Sequence, residues 1–202
     1  MRCANTLLLS ALLGAGAVQA QGLQYLLSTG KSQVIFSTYS HTMKDGSKPA
    51  GLFDGLVWIP KGAHSDPRGY LFMNHEPGFA DTPQGSVARL TYEQGQITEA
   101  EPWVAGLSRP CSAHDSPWRT VLGGEEDDTA QNGEYGYIVE IDPLDKSKWD
   151  RCLAMGRANW ENVVAYPQTM EFFLTDDGRP TSNKGAFYRF VPDRQGDLSS
   201  GR

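Results

Sequence analysis

The residues with the most chemistry in this chain lie between Cys111 and Glu126, a stretch reading C-S-A-H-D-S-P-W-R-T-V-L-G-G-E-E. It sets a thiol, an imidazole (His114), a carboxylate (Asp115) and the adjacent pair Glu125–Glu126 on one short segment, with Asp127 and Asp128 following. Acids packed this densely repel one another unless water, arginines or a cation neutralise them. Carboxylates beside a thiolate suit hard cations together with a softer metal such as iron. The plainer alternative for the same residues is a solvated acidic loop after an ordinary strand. Trp118–Leu122, where aromatic and β-branched residues alternate with polar ones, predicts the strand that delivers the acids.

Composition narrows the fold that must position them. The chain has 202 residues, formal charge −6, 22 glycines and 12 prolines, with few long helix-forming runs. That mixture favours an all-β architecture rich in turns. The acidic balance argues against nucleic acid or an anionic membrane as partner and suits cation binding. There is no G-x-S-x-G elbow, no H-E-x-x-H helix and no phosphate-cradling P-loop, so serine-nucleophile and zinc-helix chemistry have no support. Oligomeric state leaves no mark in the sequence, and a monomer is the default expectation.

Residues 1–20 read as a secretory signal peptide: Arg2, a mostly apolar Thr6–Val18 run, and a small-x-small Val18-Gln19-Ala20 cleavage pattern. The expected location is periplasmic or secreted, with no membrane attachment after signal removal, and residues 21–202 form the folded domain. Of the three cysteines, Cys3 leaves with the signal. Cys111 and Cys152 then allow two readings, a disulfide suited to an oxidising compartment or Cys111 as a metal ligand. Spacing alone does not separate these; the ligand reading requires the Cys111 thiol to face the acids.

The chain also repeats. Tyr70–Glu76, Thr120–Glu126 and Phe172–Asp177 are apolar stretches ending in acids, and Glu76, Glu126 and Asp177 fall 50 and 51 residues apart. Each is followed by a second strand opening near a glycine: Gly85–Tyr92, Gly136–Ile141 and Gly185–Val191. Further strands are expected over Gln33–Tyr39 and Phe53–Pro60, with a polar loop over His41–Lys48 turning at Asp45-Gly46. A period near fifty with several short strands per unit is the pattern of β-propeller blades. If the acid-tipped strands were the innermost of their blades, the acids would converge at one mouth of the central channel, where bound cations relieve their repulsion. About three repeats do not close a ring, so an incomplete propeller is expected, belonging to a fragment or a truncated product.

Within Asn74-His75-Glu76, alternation along a strand puts Asn74 and Glu76 on one face as a ligand pair, with His75 supporting the neighbouring blade. Trp160 is expected to pack between blades. Glu161 is either a further ligand or a partner for Arg157. His41 and His64 are expected to be solvated.

Taken together these segments resemble the PhoX-type alkaline phosphatases. The run Cys111-x6-Trp118-x6-Glu125-Glu126, with Pro117 before the tryptophan, is similar to that family's N-C-S-G-G-x-T-P-W-G-T-W-L-T-C-E-E. Asn74-His75-Glu76 matches its N-H-E, and Gly156-Arg157 through Glu161 resembles its G-R-F-x-H-E. Asp176-Asp177 and Phe187–Pro192 resemble its G-D-D and Y-x-F-V-P. The resemblance implies a six-bladed propeller, about three blades of which lie here, hydrolysing phosphate monoesters of small molecules outside the cytoplasm with iron and calcium. It implies Glu76 and Cys111 as iron ligands, and Glu125, Glu126, Glu161 and Asp177 as calcium or iron ligands. The sequence departs from the family pattern at Pro110, Arg119, Gly124 and Trp160, where the family has Asn, Gly, Cys and His. It also lacks a twin-arginine signal. A non-hydrolytic calcium-binding propeller acting as a binding module is the alternative, and a lactonase-type propeller hydrolase rests on architecture alone.

Overall fold

In the computed structural model, which describes residues 34–76, 85–127, 133–178 and 185–202, the strands assemble as successive antiparallel meanders. The first sheet takes β1 (Phe53–Pro60), β2 (Gly69–His75), β3 (Gly85–Glu93) and β4 (Gln96–Leu107) in sequence order. The second takes β5 (Pro110–Asp115), β6 (Val121–Glu125), β7 (Ile138–Ile141) and β8 (Trp149–Arg151), again in order. The third pairs β9 (Trp160–Tyr166) with β10 (Glu171–Asp176), and β10 with β11 (Ala186–Phe190). Only Val191 separates β11 from β12 (Pro192–Arg194), which pairs with β13 (Asp197–Gly201). Reciprocal backbone bonds between Val191 and Arg202 extend that pairing, and β12–β13 form a separate two-stranded sheet next to β11 in the chain.

These are three blade-like sheets of an all-β, open, propeller-like fold, as the composition and repeat predicted. A 3₁₀ turn spans Leu153–Met155. Residues from Ile35 to Arg202 form one unit; the proposed signal peptide and the 21–32 lead-in lie outside the described residues.

Alternation along each strand sends side chains into two different interfaces. Val57, Ile59, Phe72, Trp103 and Leu107 of the first sheet meet Val121, Val139 and Ile141 of the second. Leu122 and Ile138 point the other way, to Trp160, Val163, Phe172, Leu174 and Phe190 of the third sheet. Trp160 packs between blades as expected, 2% exposed, with its ring edge-on to Tyr188. Met43 and Phe36 cover part of the first sheet's other face, against Met73 and Leu90.

Three expectations need correction. Of the strand placed at Gln33–Tyr39, the described residues form no strand, and Thr38–Ser40 is a turn, because local side chains take its backbone donors: Ser37 N–H binds His41 Nδ1 at 3.0 Å and Ser40 N–H binds Ser37 Oγ at 3.2 Å. Trp118 and Arg119 sit in a turn before β6, closed by Ser116 and Thr120, and Arg119 has φ 68°. The acid-tipped strands β2, β6 and β10 are second in their sheets, not innermost. The innermost are β1, β5 and β9, which pack against one another. Gly55 permits this approach: a Cβ there would stand 2.3 Å from Cys111 O and 2.5 Å from Ala113 N.

Candidate metal centre

The three sheets place six residues in two matched sets. Asp54, Cys111 and Glu161 are each the second residue of an innermost strand, β1, β5 and β9. Glu76, Glu126 and Asp177 each follow directly on a second strand, β2, β6 and β10. Because neighbouring strands are antiparallel, the start of each innermost strand lies beside the end of the next, and both sets fall at the same end of the array.

Glu126, Glu161 and Asp177 come closest, each offering a carboxylate oxygen within 4.8 Å of the other two. Backbone contacts fix this meeting. Glu126 forms an isolated bridge with Asn159, and Asp177 N–H donates to Asn159 O at 2.9 Å, so Asn159 ties the ends of β6 and β10 together. Cys111 Sγ lies 3.7 Å from Glu161 Oε2 and its thiol donates to that carboxylate. Both cysteines are free, Cys152 being buried in the apolar layer between the second and third sheets.

Asn74 takes the blade-bracing role expected of His75. Asn74, fully buried, donates from Nδ2 to Ser112 O at 2.6 Å and Cys111 O at 3.3 Å, clamping β2 to the thiol-bearing strand of the next blade. His75 meets the ring of Phe53, its cross-strand partner within the same sheet, edge to face. Glu76 accepts from Arg109 Nε at 3.0 Å. Arg109 also binds Glu126, through Nη2 to the carboxylate and Nη1 to the backbone carbonyl at 2.9 Å.

Glu125 requires a correction. It points away from Glu126 by strand alternation and is fully buried. Its oxygens accept from Arg151 Nη2 at 2.8 Å, Arg151 Nε at 3.0 Å, Ser108 N at 3.1 Å and Tyr137 N at 3.3 Å. A carboxylate so committed is a structural ion pair within the second sheet, joining β6 to β8, and not a free ligand. His114 and Asp115 pair with each other at the far end of β5, away from the acids.

Asp54 and Arg109 were missed in the sequence. Aligning the first strand of each repeat, rather than the second, would have found Asp54, which stands where Cys111 and Glu161 stand in theirs. Arg109 carries no comparable signal, because its role depends on a crossing between sheets.

The electrostatics follow from the crowding. Burial, and then the carboxylates of Asp54 and Glu161, push the Cys111 thiol well above its ordinary range. Glu126 is pushed up from 4.5 to about 7, chiefly by burial; Asp177, Glu76 and Glu161 add to the rise and Arg109 opposes it. A cation among Glu126, Glu161 and Asp177 would reverse both effects. The donor chemistry fits: three carboxylates suit a hard cation, and the adjoining thiol suits a softer one.

A family model described as Alkaline phosphatase PhoX matches residues 85–201, more than half of the chain. The chain belongs to the PhoX alkaline phosphatase family. No curated protein and no solved structure matches it. Membership in a metal-dependent phosphatase family agrees with a crowded cluster of carboxylates. Among the described residues no helix is long and apolar enough to cross a membrane.

The departures from the PhoX pattern have structural counterparts. At Gly124 a Cβ would stand 2.4 Å from Trp160 O and 2.9 Å from Ser112 Oγ. A cysteine there would need β9 to stand further from β6, and with glycine β9 closes in. Arg119 carries a left-handed backbone, a conformation that glycine adopts without strain, and its guanidinium donates to Gly62 O. Pro110 packs on Gly85, where a Cβ would meet its ring at 2.3 Å.

Proposed function

We propose that this chain is a PhoX-type phosphomonoesterase acting outside the cytoplasm on phosphorylated small molecules, with calcium and iron held at the blade mouth. The observation that carries this reading is the meeting of Glu126, Glu161 and Asp177 from two blades, with Cys111 beside Glu161. In this reading the three carboxylates hold calcium and Cys111 with Glu161 faces iron. Metal ions bound there would supply Lewis acidity and positive charge against the phosphoryl oxygens.

The protein's own contributions are positional. Asn74 and Gly55 seat the Cys111 strand against its neighbours, and Asn159 sets the spacing of Glu126 and Asp177. The Glu125–Arg151 pair locks the strand that presents Glu126. Residues 1–20 serve as the export signal in this proposal. The three sheets are read as part of a larger six-bladed ring, supported by the outer face of the third sheet, where Val164, Tyr166 and Phe187 are exposed and Phe173 stacks on Phe187.

The test is hydrolysis of p-nitrophenyl phosphate by the secreted protein before and after chelation, with calcium and iron restored. Turnover that chelator abolishes and metals restore is expected; metal-replete protein without chelator-sensitive turnover contradicts the proposal. The all-oxygen trio also suits a calcium-binding module without hydrolytic activity. Elemental analysis separates the two, since calcium without iron favours the module.

A further inference from the structure

We infer that Arg109 determines which carboxylates of the mouth are available to a cation. The inference deepens the metal-binding reading above and rests on it. Glu76, Glu126 and Asp177 are equivalent by position in the repeat, yet only Glu126 and Asp177 join the close trio with Glu161. Glu76 stands at the first blade and is held by the Arg109 guanidinium.

Arg109 lies in the crossing from β4 to β5, between Leu107 and Pro110, with φ 46°. A left-handed conformation at a non-glycine residue persists only where the surroundings fix it. Here Arg109 O accepts from Glu126 N at 3.0 Å, so backbone and side chain both hold the residue to the end of β6. The guanidinium then spans two blades, taking a Glu76 oxygen on one side and a Glu126 oxygen on the other. Its side chain is 17% exposed, and those of Glu76 and Glu126 are 28% and 12% exposed, so water screens these contacts only partly.

Two consequences follow. Glu76 is neutralised by a resident cationic side chain and is withheld from a cation, which Glu126, Glu161 and Asp177 would hold toward the second and third blades. Glu126 is shared, one side facing the guanidinium and the other facing Glu161 and Asp177. Ligand charge count tunes the affinity of oxygen-ligand cation sites. Arg109 therefore holds that affinity below what four carboxylates would give. It is a positioning residue, since it acts through Glu76 and Glu126.

The test is calcium titration of chelator-treated full-length chain by calorimetry, with folding checked by circular dichroism. Arg109→Gln is expected to tighten calcium binding by roughly tenfold, the effect of removing one positive charge a few ångströms from the ion in a partly screened site. Glu76→Gln alone is expected to change it by less than about twofold, and in the Arg109→Gln background to abolish the gain. Unchanged or weaker binding in a folded Arg109→Gln variant overturns the inference. So does a loss of about tenfold or more in Glu76→Gln, which would make Glu76 a ligand in its own right. Should Arg109→Gln fail to fold, the Glu76→Gln result decides alone. Absence of calcium binding by the wild type overturns both this inference and the reading it rests on, whereas wild-type binding with an unresponsive Arg109→Gln overturns only this one.

Discussion

Glu125 and Glu126 are adjacent in sequence and opposite in consequence. Glu125 is a fully buried partner of Arg151, and removing its charge leaves a guanidinium and two backbone donors poorly matched. Glu125→Gln should cost about 3–5 kcal/mol in urea unfolding of the chelated protein, the range for breaking a buried ion pair from one side. Glu161 is exposed, and Glu161→Gln should move stability by less than about 0.5 kcal/mol while weakening cation binding. Equal destabilisation by the two substitutions would contradict this division of roles. Glu126 adds a pH signature. Its folded pKa is raised to about 7 from 4.5, so without a cation the folded chain keeps a proton that the unfolded chain releases. The associated stability is complete below the unfolded value and is lost as pH rises through the folded one. In chelator, the melting temperature should fall between about pH 5 and pH 8, and calcium, by favouring the ionised carboxylate, should flatten that slope. A slope unaffected by calcium would dissociate Glu126 from the cation site.

The strands that carry these residues were legible where local pattern and burial agree. Phe53–Pro60 is β1 as expected, and the paired strands of each repeat fall at β2–β3, β6–β7 and β10–β11. Trp118–Arg119 failed as a strand because two hydroxyls, Ser116 and Thr120, close a turn there that alternation does not reveal. The innermost position was assigned to the wrong strands because order within a blade depends on contacts between sheets. The expected convergence of Glu126 and Asp177 survived that error, since antiparallel neighbours share an end, with Glu161 joining them in place of Glu76. Glu125 was misread for a related reason: the period of two separates it from Glu126, but its arginine lies two strands away on β8. The close approach of β1 and β5 can be tested at Gly55. Gly55→Ala, whose Cβ would stand 2.3 Å from Cys111 O, should destabilise the chain by about 1–3 kcal/mol in urea unfolding and weaken binding at the mouth. A neutral Gly55→Ala would mean that the blades do not pack this closely.

At the scale of the whole molecule, the repeat brings acids some fifty residues apart to one place. Each blade contributes a residue from the start of its first strand and one from just beyond its second, and the apolar layers between sheets fix their spacing. Relief of carboxylate repulsion by a bound cation would then join neighbouring blades. Catalysis would use the same charge concentration. The most direct measurement is calorimetric titration of the chelator-treated protein with calcium, comparing wild type with Glu126→Gln, Glu161→Gln and Asp177→Asn. Saturable binding by the wild type, weakened about tenfold or more by each substitution, is the predicted result. Saturable binding that persists unchanged when all three are substituted together, or none in the wild type, would contradict it.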